Sequence, residues 1–96
     1  MATEILTGAG DPLYTDPFGY RSAESTFAFY GTFGGGTVTV EASFDNGTIW
    51  IPLKKASGDV LEITSNEIHT IVLGKCLMRF KIAGATNPTV NITITD

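Results

Sequence analysis

Apolar and polar residues alternate with a period of two through much of this chain, the pattern of strands that bury one face and expose the other. Over residues 37–44, Val38, Val40, Ala42 and Phe44 share one face, opposite Thr37, Thr39, Glu41 and Ser43. Cys76, Met78, Phe80 and Ile82 alternate with Leu77, Arg79, Lys81 and Ala83; Val90, Ile92 and Ile94 alternate with Asn91, Thr93 and Thr95. Shorter strands are expected over 25–31, with Phe27 and Phe29 opposite Ala28 and Tyr30, and over 48–53, 60–64 and 68–73, with an edge strand at 2–7. No long stretch shows helical periodicity, and the wealth of Thr, Val and Ile favours pleated structure. The predicted core contains Val38, Val40, Phe44, Met78, Phe80, Ile82, Val90, Ile92 and Ile94.

The punctuation between these runs fits short antiparallel connections. Asn46-Gly47 supplies the positive φ angles of a tight hairpin turn, and Gly34-Gly35-Gly36 bends the chain before its strongest strand. Ser57-Gly58-Asp59 and the segment 84–88 are further turns. About seven or eight short strands at such spacing make an all-β, antiparallel β-sandwich, either immunoglobulin-like or jelly-roll. The connection order is not readable from the pattern.

Residues 8–24 break the rhythm. The segment holds Pro12, Pro17, Gly10 and Gly19, yet also Leu13, Tyr14, Phe18 and Tyr20. Long structureless loops in small domains are either functional or disordered, and disordered segments are poor in aromatics. We read it as an arm ordered by contact, with Leu13, Tyr14, Phe18 and Tyr20 as partner-binding anchors. The competing reading folds it back to cap its own sandwich.

Composition sharpens the picture. At 96 residues the chain is one domain over 1–96. A domain of this size buries only roughly two-thirds of its unfolded surface, so its stability is modest without reinforcement. Cys76 is the single cysteine, which excludes an intrachain disulfide, and His69 is the single histidine, which leaves no clustered metal ligands. Apolar residues make up 43% and charged residues only 17%, against about 25% charged in an ordinary domain. Self-association, as a trimer or another closed ring, or docking on a larger body would cover the excess. The net charge of −4, with no basic cluster beyond Lys54-Lys55, argues against nucleic-acid binding. No apolar run is long enough for a membrane span, and residues 1–4 lack the basic and apolar regions of a secretory signal, so synthesis in a cytosol is expected.

Candidate chemistry is sparse. The glycine run before Thr37 is followed by a strand and no lysine, so it is a bend rather than a phosphate cradle. Asp45-Asn46-Gly47-Thr48 opens like a calcium loop, but Ile49-Trp50-Ile51-Pro52 supplies none of the later ligands. Asp11 and Asp16 flank Pro12 and read as turn-capping residues. No Gly-x-Ser-x-Gly elbow accompanies His69. Neither an enzyme nor a cofactor is expected. Trp50 has two readings: an inter-sheet packing residue, which we favour, or a sugar-stacking platform with Tyr14 and Tyr20.

The stretch 31–50, with its glycine-threonine strand, Asp-Asn-Gly turn and Thr-Ile-Trp strand, resembles small tailed-bacteriophage virion proteins. The closing section 77–94 is similar to theirs as well: an arginine-bearing strand around Arg79, a Gly84-Ala85-Thr86 turn and a terminal Thr/Val ladder. The arm at 8–24 is not part of the likeness. The resemblance implies a structural role in a virion, as a capsid decoration (cement) protein or a head–tail or tail accessory protein. Its partners would be the major capsid protein or other virion proteins, and no catalytic residues come with it. A carbohydrate- or receptor-binding β module is the alternative.

Overall fold

Three alternating runs form the long central strands. In the computed structural model, which describes residues 2–20, 23–55 and 57–95, they become β5 (Thr37–Ser43), β8 (Cys76–Ala83) and β9 (Thr89–Thr95). The remaining strands are β1 (Ala2–Thr7), β2 (Leu13–Tyr14), β3 (Phe18–Tyr20), β4 (Ala23–Thr32), β6 (Ile51–Pro52) and β7 (Glu67–Leu73). All pair antiparallel. One sheet has the order β1-β9-β4-β7; the other has β2-β8-β5-β6, with β3 also on β8.

The pairing is nested. The first strand meets the last, β2 and β3 meet β8, β4 meets β7 and β5 meets β6. A long hairpin rolled up on itself gives this order, and it is the connection order of a jelly roll. Among the described residues nine strands replace the expected seven or eight, because β2 and β3 are two pieces of one position in the sheet, both paired with β8.

The core lies between the sheets. Phe27, Phe29, Val90 and Ile92 from one sheet meet Val38, Val40, Met78 and Phe80 from the other, all fully buried. Phe80 is the centre of an aromatic cluster, with ring centroids 5.9 Å from Phe29, 6.1 Å from Phe27 and 5.8 Å from Phe18. Among the described residues every buried side-chain nitrogen or oxygen has a hydrogen-bond partner.

The structure corrects several expectations. Phe44 is not in the core but 63% exposed, because β5 ends at Ser43 and alternation ends with it. Ser43 is buried instead, its Oγ donating to Asp45 Oδ1 at 2.8 Å and accepting from the Gly47 N–H at 2.8 Å. Asn46 and Gly47 do take positive φ, at 62° and 86°, but the connection runs from Phe44 to Trp50 and shortens the following strand to Ile51–Pro52. Residues 60–64 form no strand. Val60 and Ile63 make isolated bridges, to Lys54 and Val38, so the outer side of β5 is shared between β6 and this segment.

The arm at 8–24 is not a structureless loop: β2 and β3 pair with β8, and only its residues 21 and 22 lie outside the described residues. The aromatics at 18 and 20 follow strand alternation inward, which the preceding Pro17 and the intervening Gly19 obscure in the sequence.

Candidate functional site

On β8 the alternation that buries Met78 and Phe80 turns Arg79 and Lys81 outward. The register sets Glu41 of β5 opposite Arg79, and Arg79 Nε donates to Glu41 Oε1 at 2.7 Å. On the other flank, β2 places Tyr14 opposite Lys81. The loop before β6 brings Trp50 over from the far side. The Arg79 guanidinium therefore lies between two rings, 4.4 Å from the centroid of Tyr14 and 4.3 Å from that of Trp50. Lys81 Nζ stands 6.0 Å from the Tyr14 ring.

This arrangement suits arginine in particular. A planar, weakly hydrated guanidinium stacks on aromatic faces while still forming an ion pair in its own plane. Both side chains of the ion pair are largely covered, so it holds Arg79 in place more firmly than an exposed pair would. The result is a preordered Tyr14–Arg79–Trp50 stack on the outer face of the β2-β8-β5-β6 sheet.

The loop beside it is held by polar contacts. Asp45 Oδ1 accepts from the Ile49 N–H at 2.9 Å and from the Ser43 hydroxyl. These hydrogen bonds hold the Asp45 carboxyl below its ordinary range. The carboxylate thus holds the turn. In the same connection Phe44 and Ile49 remain exposed.

Of the four anchors expected on the arm, the structure brings only Tyr14 to this surface. Leu13 and Phe18 pack against the core. Tyr20 is buried, its hydroxyl donating to Ser25 Oγ at 2.9 Å, so it offers no stacking platform. Trp50 is not an inter-sheet residue: it lies outside, against Arg79. Nothing in the sequence around Arg79 marks it as a binding residue. Its placement depends on a register joining residues 38 positions apart, which no local pattern encodes.

Elsewhere, His69 Nε2 and Glu67 Oε1 lie 2.8 Å apart on β7, and the His69 ring meets the edge of Phe29. Asp11 Oδ1 accepts from the Gly84 N–H at 2.8 Å and ties the arm to the 84–88 turn. Among the described residues no three His, Cys, Asp or Glu side chains gather at metal-ligand spacing. Comparison with protein-family models, with curated proteins and with solved structures finds no match for this chain.

Proposed function

We propose that this protein is a non-catalytic virion structural protein of the capsid-decoration type, docking on the major capsid protein through the outer face of its β2-β8-β5-β6 sheet. The observation that carries the docking surface is the Tyr14–Arg79–Trp50 stack on that face. Trp, Tyr and Arg are the residue types that dominate binding hot spots, and a cluster already held in place loses little entropy on docking. The virion assignment rests on the sequence resemblance. Jelly rolls occur in viral capsid and lectin domains alike, so the fold accommodates the role without selecting it.

The test is mass spectrometry of purified particles combined with binding of Trp50→Ala and Arg79→Ala variants. Several hundred copies per particle support decoration, and a handful support a head–tail or tail accessory role. Absence from particles refutes both. Each substitution should weaken docking by about 2 kcal/mol or more while leaving the fold intact.

The outward position of Trp50 favours a second reading, a carbohydrate- or receptor-binding module using Trp50 and Tyr14. Glycan-array binding lost in Trp50→Ala would support it over the first.

A further inference from the structure

The four sheet borders are not alike. β6 is two residues long and contains Pro52, and proline and brevity both discourage strand addition. β2 and β3 are short and separated by Pro17. β1 is flanked by β2, which packs against it. β7 has no such guard: it runs for seven residues, Glu67-Ile68-His69-Thr70-Ile71-Val72-Leu73, with no proline, lysine or arginine, and β4 is its only strand partner among the described residues. Its outward side chains Ile68 and Val72 are 73% and 68% exposed.

We propose that β7 is a self-pairing edge through which two copies of this chain join antiparallel about a two-fold axis at Thr70, continuing the β1-β9-β4-β7 sheet into a second copy. The occupant follows from the sequence of the strand. Centring the axis on Thr70 pairs every residue of β7. It sets Ile68 opposite Val72 of the second copy and Thr70 opposite its own equivalent. Aliphatic and Thr–Thr pairs of this kind stabilise antiparallel ladders.

The other face of the strand is compatible as well. His69 meets Ile71, and Glu67, the only acid on the strand, meets Leu73 instead of a second carboxylate. Glu67 is already paired with His69 at 2.8 Å. The cleft of about 750 Å³ beneath β7 is bordered by Lys54 and Lys55 as well as Glu62 and Glu67, so a second copy brings both signs of charge to the rim. A two-fold contact of this kind is closed, because the same strand serves both copies. This inference is independent of the virion reading and concerns the opposite sheet.

Cysteine cross-linking of the full chain tests it, with the unsubstituted chain as the control for buried Cys76. Thr70→Cys should oxidise to a covalent dimer. Ile68→Cys alone should not, whereas Ile68→Cys mixed with Val72→Cys should give the cross-linked pair. In sedimentation, the unsubstituted chain should approach twice the monomer mass as concentration rises. Thr70→Lys, which places like charges opposite each other, should remain a monomer with an unchanged unfolding midpoint. The proposal is overturned if the unsubstituted chain stays monomeric throughout, if Thr70→Lys dimerises equally well, or if Ile68→Cys alone cross-links as readily as Thr70→Cys.

Discussion

Thr15 and Phe80 exchange two hydrogen bonds of 2.9 Å: the Thr15 N–H donates to the Phe80 carbonyl, and the Phe80 N–H donates to Thr15 Oγ1. A side-chain oxygen here stands in for the carbonyl that a continuous strand would offer, and the ladder on β8 carries on between β2 and β3. Thr15 is accordingly buried.

Thr15→Val preserves shape but leaves the buried Phe80 N–H without an acceptor. The expected cost is about 1–3 kcal/mol, read as a lower denaturant midpoint. Thr15→Ser keeps the hydroxyl and should recover most of it. Equal loss in both variants would mean that the methyl group, not the hydrogen bond, matters.

Phe80 joins the two sheets through Phe27, Phe29 and Phe18. Phe80→Ala should destabilise the fold by about 3–5 kcal/mol. Chemical denaturation measures this directly, and an unchanged midpoint would contradict the central place of this ring.

The arm divides into packing and surface residues, so its two aromatics should behave differently. Phe18→Ala should lower stability by roughly 1–3 kcal/mol through lost contact with Phe80. Tyr14→Ala should leave the unfolding midpoint nearly unchanged and, under the proposed docking, weaken particle binding instead. Thermal unfolding and a binding assay run on both variants separate the roles.

Partial burial, reinforced by the charge of Asp16, raises the Glu4 carboxyl above its ordinary value. A carboxyl whose folded pKa is raised binds its proton more tightly in the folded state. Stability therefore falls as pH rises from the unfolded value of about 4.3 through the folded one. Glu4→Gln should raise the unfolding temperature at neutral pH and confer no advantage in acid, where Glu4 is already protonated.

Asp45 has the opposite sign. The Ile49 N–H and the Ser43 hydroxyl hold its carboxyl low. Its contribution is present above the unfolded value of about 3.9 and lost as pH falls through the folded one. Asp45→Asn should be less stable than the unsubstituted chain at neutral pH, with the gap closing in strong acid. A melting series across pH for both proteins checks the sign.

Much of the sandwich is legible in the residues themselves. Val38, Val40, Met78, Phe80, Ile82, Val90, Ile92 and Ile94 all lie in the core, as their alternation requires. A strand has only two faces, so a single run of residues suffices to sort them. Asn46-Gly47 likewise announces its positive φ, because few residues tolerate that backbone. Phe44 fails for the same local reason: alternation says which face a residue would occupy, not where the strand stops.

What tertiary structure decided is which strands are neighbours. The jelly-roll order over the immunoglobulin-like one, the return of the arm onto β8 and the meeting of Tyr14, Arg79 and Trp50 all depend on registers between distant segments. Local periodicity is blind to them, since a strand's preference for a face is nearly the same whichever strand lies beside it. Only the joint packing of both sheets around Phe27, Phe29 and Phe80 selects one set of neighbours, and that selection places an arginine between two rings.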